Sequence, residues 1–321
     1  MQLKPTTTGS AIAPLPRWTA PAALAAVVLV AAALPLFTTQ QGLLDLLFLI
    51  FLNITLGQSW NILAGFAGQN SLGHAAFFGI GAMVTRVLWL DGMPFLLAFA
   101  LGGLAAAAFA VIIGAPTFRL RGAYFSIGTL GVAEVLRITV SENLPLISTL
   151  SGAQIAAYSL SLRYYLALAV AVTTVGAAAW LLHSPWSLGI LALREDEEMA
   201  QASGVYVLGH KLLALGISSF FAGLAGAVFA FQQISYYPAA AFDPSWSFDA
   251  LLIAFIGGLG TLAGPVIGAA FFILVRERLA VTFLEVHQAI FGALFILIVL
   301  VFPGGLSEAL QRLRRFVIRP G

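Results

Sequence analysis

The chain has no cysteine, which excludes disulfides, thiol catalysis and thiolate metal sites. Charge is nearly as scarce: 15 basic and 13 acidic residues in 321, or 9%, where soluble domains carry about 25%. A folded surface of this size could not stay dispersed in water with so few, so a soluble enzyme is excluded. The net charge of +2 is too small to point to nucleic acid. No Gly-rich loop ending in Lys-Ser or Lys-Thr is present to cradle phosphate, and the four histidines stand far apart, without metal-ligand spacing. What is abundant is apolar: 60% of the residues, with 32 glycines besides. Ten helices of about 20 residues would occupy roughly 200 positions, close to that inventory. The expected class is an all-α polytopic membrane protein.

Apolar segments run over about 20–37, 43–64, 72–90, 94–114, 122–140, 163–183, 211–233, 248–263, 265–281 and 288–303. Backbone amides in hydrocarbon need partners within their own segment, so each is expected to be helical. The segments 248–263 and 265–281 are short and share a Gly/Pro-rich junction, and could instead form a re-entrant pair. Eight to ten spans are therefore expected, with ten favoured. The run from Pro21 to Phe37 lacks a small-residue cleavage site and reads as a first span, not a signal peptide. With both termini cytoplasmic, Lys4, Arg17, Arg119, Arg121, Arg194, Lys211, Arg312, Arg314, Arg315 and Arg319 fall inside. Arg86, Arg137, Arg163, Arg276 and Arg278 are left toward the outer side, a two-to-one bias of the kind that sets orientation. Trp18, Trp89, Tyr164, Tyr165 and Trp186 sit at span ends, where an interfacial position is expected. This divides the chain into a cytoplasmic tail (1–19), a membrane domain (20–306) with a cytoplasmic loop (184–211), and a basic cytoplasmic tail (307–321).

Inside the apolar region the segment Gly65–Gly81 is the least regular, with glycines at 65, 68, 73, 79 and 81 around Gln69, Asn70, Ser71 and His74. Glycine costs a helix about 1 kcal/mol against alanine, and buried polar groups need partners. A broken helix restarting near Ser71, with Asn70 or Ser71 as N-cap, would leave amide N–H groups facing a cavity, a natural receptor for a carboxylate. Close packing of small residues explains the same glycines. His74 is read either as a substrate donor or as an interhelical hydrogen bond. Glu134 and Arg137 are three apart on one helix and could pair; ionisable groups within a span are functional candidates by default. Tyr124, Ser126 and Thr129 could line the same cavity. A second Gly-rich break, Gly257–Pro265, partly echoes the first. Tyr236, Tyr237, Asp243, Trp246 and Asp249 form an aromatic and acidic outer loop, and Arg312–Arg315 reads as a topogenic, headgroup-facing feature.

One loop carries soluble chemistry. Arg194 is followed by four acids, Glu195, Asp196, Glu197 and Glu198, then by Met199, Ala202 and Gly204. A short helix from Arg194 to Ser203 is expected, with its acids in the first turn and Gly204 as a left-handed stop. Its small apolar face, Met199 and Ala202, suits either docking into a groove on another protein or plain solvation.

The stretch Ala192-Leu-Arg-Glu-Asp-Glu-Glu-Met-Ala-Gln-Ala-Ser-Gly-Val205 resembles the cytoplasmic coupling loop of ABC importer permeases of the branched-chain amino acid (LivM-like) family. Gly68-Gln-Asn-Ser-Leu-Gly-His-Ala-Ala-Phe-Phe-Gly-Ile-Gly-Ala82, Tyr124-Phe-Ser-Ile-Gly-Thr-Leu-Gly-Val-Ala-Glu-Val-Leu-Arg137, Ile256-Gly-Gly-Leu-Gly-Thr-Leu-Ala-Gly-Pro-Val-Ile-Gly-Ala269 and Phe302-Pro-Gly-Gly-Leu306 agree with it, in order, over about residues 45–306. Asn70, where the family usually has an apolar residue, and Met83, where Tyr is frequent, depart from the pattern and bear on which solute is carried. The resemblance implies a non-enzymatic permease subunit without a cofactor, in the bacterial inner membrane. It also implies a second homologous permease, two cytoplasmic ATP-binding subunits and an extracytoplasmic substrate-binding protein. It makes branched-chain amino acids the expected cargo, with urea, short amides or aromatic acids as alternatives. It makes Arg194 to Met199, Ala202 and Gly204 the ATPase-coupling residues. An ion-coupled secondary transporter is the alternative of another class; it would need membrane carboxylates, of which Glu134 is the chief candidate.

Overall fold

The computed structural model describes residues 19–38, 40–143, 148–150, 152, 159–282, 290, 292–293, 296–297, 300 and 304–309. The chain divides into two units, residues 1–39 and 40–321. In the first, helix α1 (Thr19–Phe37) carries Pro35 near its end.

In the second unit α2 (Gln41–Trp60) runs into a π-helical turn, Asn61–Phe66, and together they form one apolar helix of 26 residues. Then follow α3 (His74–Leu90), α4 (Phe95–Thr117), α5 (Ala123–Asn143) and α6 (Leu160–His183). Two short helices, α7 (Ser187–Glu195) and α8 (Glu197–Ala202), lead into α9 (Val207–Gln232). After α10 (Pro238–Ala241) come α11 (Ser245–Gly257) and α12 (Gly264–Thr282). The all-helical polytopic class is observed. Among the described residues six segments are long and apolar enough to cross a membrane: Gln41–Phe66, Phe95–Thr117, Ala123–Asn143, Leu160–His183, Val207–Gln232 and Pro238–Gly257. Val27–Phe37 and His74–Leu90 are apolar but shorter. The expected span 288–303 and both tails lie mostly outside the described residues.

Small residues decide the packing of the centre. Gly102, Gly103, Ala106, Ala110 and Gly114 make a buried stripe on α4, the small-residue seam that lets membrane helices approach. On α9 a Cβ at Gly226 would collide with the Phe78 carbonyl of α3, and one at Gly223 with Ala106 of α4. α3, α4 and α9 therefore touch backbone to backbone, while α2 packs against α6, α9, α11 and α12. α5 leans on α3 with few neighbours and leaves Ile127, Val135 and Ile138 exposed.

Opposite the α7–α8 end, the residues after α5 pair with those after α9. β1 (Ser148–Thr149) and β2 (Ser235–Tyr236) are antiparallel, with Ser148 opposite Tyr236 and Thr149 opposite Ser235. The aromatic-belt expectation needs correction there. Trp89 and Tyr164 are buried in the protein: Trp89 packs on Phe95 and Phe231, and Tyr164 on Phe51. Trp186 is exposed, and Trp18 lies outside the described residues.

Candidate functional site

The first break is real but starts its helix later than expected. α3 begins at His74 with Gly73 as N-cap and no side-chain cap. Three of the amides expected to face a cavity are already occupied. Thr129 Oγ1 accepts from Leu72 N at 3.1 Å, Ser71 Oγ from Gly73 N at 3.1 Å, and Ser247 Oγ from Ala75 N at 2.8 Å. With these three donors met, the helix start is a poorer anion receptor than a free N-terminus. Ser71 is buried, its carbonyl taking the Trp60 indole N–H at 2.7 Å. Gln69 is half-buried and donates to the Ala67 carbonyl at 3.3 Å, whereas Asn70 is exposed and its carbonyl takes the Ser126 hydroxyl at 2.5 Å. Asn70, Ser126 and Thr129 thus form one contact between the break and α5. Tyr124, at the start of α5, is 75% exposed.

His74 is fully buried and pairs through Nε2 with Ser218 Oγ at 2.9 Å; that hydroxyl donates to the Ser59 carbonyl at 2.6 Å. The histidine therefore joins α2, α3 and α9, and its Nδ1 has no partner among the described residues. Glu134 and Arg137 form the expected ion pair, with Arg137 Nε donating to Glu134 Oε2 at 2.8 Å. Beside this region a cavity of about 10 Å³ lies between Phe77, Phe125, Thr129 and Leu215, room for about one water. A wider, open pocket of about 500 Å³, lined by Asp45, Leu49, Glu277 and Arg278, lies at the other end of α2.

The second break meets the first, a juxtaposition that periodicity does not reveal. Asn61 Oδ1 accepts from Gly260 N at 2.8 Å, and Asn61 Nδ2 donates to the Thr261 carbonyl at 2.9 Å. Gly260 has a left-handed backbone, φ +75°. Gly304 and Gly305 close on Gly258 from the other side. Asn61 was missed from sequence, as was Gln58, which is buried with neither amide atom partnered among the described residues. An amide within an apolar run was the signal available for both.

The charged loop is two helices, not one. Asp196 takes an extended conformation, ends α7 and caps α8, its Oδ1 accepting from Glu198 N at 2.9 Å and Met199 N at 3.0 Å. An aspartate whose oxygen reaches the amides two and three residues on favours a cap over a helix interior, which fits the break of the single helix here. Gly204 is left-handed as expected, φ +85°. α8 is anchored twice: Glu197 to Lys211 of α9 at 2.6 Å, and Glu198 to Arg121 in the α4–α5 turn at 2.8 Å. Arg194 runs past both breaks, since a Cβ on Gly68 would lie 3.0 Å from Arg194 Cα and one on Gly260 would collide with its guanidinium. Glu195, Asp196 and Ala202 remain exposed, with Met199 67%, Tyr206 69% and Leu188 82% exposed beside them.

Residues 42–299 match the model of the protein family described as branched-chain amino acid transport system / permease component. The chain belongs to that family. The high-affinity branched-chain amino acid transport system permease protein LivM of Salmonella typhimurium is 30% identical over 319 residues, covering 88% of this chain and 74% of the relative. LivM of Escherichia coli is 30% identical over 316 residues with the same coverage. The probable LivM of Methanocaldococcus jannaschii is 23% identical over 291 residues, 83% of this chain and 80% of that one. No solved structure matches. This permease is a multi-pass protein of the bacterial inner membrane and a subunit of an importer. Its family works with ATPase and other partner components.

At the far end of the permease the outer-loop residues divide. Tyr236 is buried under Arg86, its phenol pKa raised by burial and pulled back by that cation. Trp246 stacks on Phe78, and Asp249 pairs with Arg276 at 2.8 Å. Tyr237 and Asp243 stay exposed. Among the described residues no group of three His, Asp or Glu comes together as a metal site.

Proposed function

We propose that this permease is one of two homologous, non-identical subunits that carry branched-chain amino acids across the membrane. Two cytoplasmic ATPase subunits, where ATP is hydrolysed, drive them, and an extracytoplasmic binding protein delivers the substrate. Both termini face the cytoplasm, with 1–19 and 307–321 as tails of the membrane domain 20–306. α7 and α8 are the coupling element: Glu195, Glu198, Met199 and Ala202 present the face that docks on an ATPase, while Arg194, Asp196, Glu197 and Gly204 hold that face in shape. The solute passes Gln69, Asn70, Tyr124 and Ser126. Ser71, His74 and Thr129 keep that wall in register, and the Glu134–Arg137 pair stands farther along α5 on the same path.

One observation carries this reading. The exposed apolar residues Leu188 and Met199 sit on the short helix pair that touches both glycine breaks, with Tyr206 exposed just after it, so a partner gripping it reaches the parts of α2 and α11 where their helices are interrupted. The secondary-transport alternative is disfavoured by Glu134, which Arg137 holds in an ion pair. Deleting residues 195–203 tests the reading. The truncated permease is expected to insert in the membrane while the co-expressed ATPase subunits no longer co-purify with it; their retention would overturn the assignment.

A further inference from the structure

Asn61 is buried in the π-helical turn, yet it is not a packing residue with an idle polar head. Both faces of its amide are used, the oxygen on Gly260 N and the nitrogen on the Thr261 carbonyl. These two groups stand about the left-handed glycine of the second break, where no α-helical partner is available to them. A carboxylate could satisfy only the first, a hydrocarbon neither, and glutamine would be a methylene too long for the gap. The space around the amide is cleared by glycine: a Cβ on Gly65 would collide with Asn61 Oδ1 and lie 2.8 Å from Gly260 N. On the other side of Gly260 stands the Arg194 guanidinium, and the Arg194 backbone lies against Gly68. Three chain segments, 61–68, 260–261 and Arg194, thus meet with only glycine between them. A close-packed interior transmits displacement because it holds no slack.

We propose that Asn61 is a positioning residue for coupling. It clamps the two broken-helix junctions into one joint, so that a displacement of α7 through Arg194 moves α2 and α11 together. This rests on the reading of α7–α8 as the coupling element. It adds a residue in the membrane that touches neither the ATPase nor the solute.

Contiguity does not itself establish coupling, so the test reads the ratio of transport to hydrolysis. The importer is purified with its ATPase subunits, reconstituted in vesicles, and assayed for leucine uptake and ATP hydrolysis in the same preparation. Asn61→Leu is expected to keep the assembled complex and its basal hydrolysis, while uptake per ATP falls at least tenfold. Gly260→Ala, which keeps the amide but displaces Arg194, is expected to lower the ratio in the same direction. Should Asn61→Leu fail to assemble, Asn61→Asp, which keeps the acceptor for Gly260 N and removes the donor to the Thr261 carbonyl, takes its place with a fall in the same direction expected. A wild-type ratio in the variants overturns the proposal, and so does a fall in uptake that matches the loss of complex and of hydrolysis. A wild-type permease that retains no ATPase subunit overturns the underlying coupling reading instead, a result visible before any variant is compared.

Discussion

The two ends of the helical unit are built on different principles. At the end holding α7 and α8, the chain turns on backbone. Six of the seven left-handed glycines among the described residues, at 68, 122, 204, 258, 260 and 305, lie there, and only Gly92 lies at the other end. At that other end the chain is held by side chains. Arg86 is 1% exposed and donates to the carbonyls of Ala230, Gln233 and Ile234 at 3.3, 2.9 and 2.9 Å, lying between Trp89 and Tyr236. It satisfies carbonyls at the C-terminus of α9, where a cation also complements the helix dipole. Arg163 pairs with Asp45 over the Phe48 ring, and Arg276 with Asp249. At one end segments meet where side chains are removed, with Lys211 and Arg121 holding only α8 in place; at the other, long cationic side chains pin the helices to one another. The glycine end is where a partner's motion has to enter under the proposed function, and the arginine end is where the bundle keeps its register.

The contrast can be broken most forcefully at Arg86. Arg86→Met keeps much of the volume but removes the donor to one buried and two part-buried carbonyls, a loss on the order of 3 kcal/mol. Thermal unfolding in detergent is expected to show a larger drop for this variant than for an alanine at Gly68, Gly92 or Arg121. An unchanged midpoint would mean that the arginine end is not what holds the bundle.

A matched pair at glycine separates backbone strain from site geometry. Gly68 and Gly92 are both left-handed, φ +71° and +89°, so alanine at either costs roughly 1–2 kcal/mol. Only at Gly68 does the new methyl meet Arg194; at Gly92 there is open space. Both variants should lose similar stability, whereas leucine uptake should fall several-fold for Gly68→Ala and stay at the wild-type rate for Gly92→Ala. Equal uptake in the two would dissolve the distinction between the ends.

The smallest effect is expected at Arg121. Its pair with Glu198 is exposed, with side chains 64% and 77% accessible, and such pairs contribute about 0.2–1 kcal/mol. Arg121→Ala should leave the melting curve nearly unmoved, in contrast to Arg86→Met.

Much of this protein is legible without coordinates. Apolar run length located most of the helices because a segment in hydrocarbon has few ways to satisfy its backbone. The acids from Glu195 to Glu198 marked the one loop with soluble character, since nine-tenths of the chain carries no charge at all. Gly204 announced a helix stop for the local reason that left-handed backbone disfavours a Cβ. Asp196 shows where local reasoning turns ambiguous. The same residue fits the first turn of a longer helix or the cap of a shorter one; it takes the cap, and the α8 it starts is held by Lys211 and Arg121.

The rest required residues distant in sequence to be brought together. Asn61 and Gly260 are 199 apart, and no period within either segment tells that the amide of one completes the backbone of the other. Ser71 and His74 resemble site residues when the segment is taken alone. In the folded chain their neighbours are Trp60, Ser218 and Ser59, which enclose them. Composition and hydropathy settle which segments enter the membrane, because that choice is made segment by segment against a uniform solvent. Which polar groups are left over to face a solute or a partner is settled only when the helices pack, because satisfaction of a buried polar atom is a property of the pair and never of the residue.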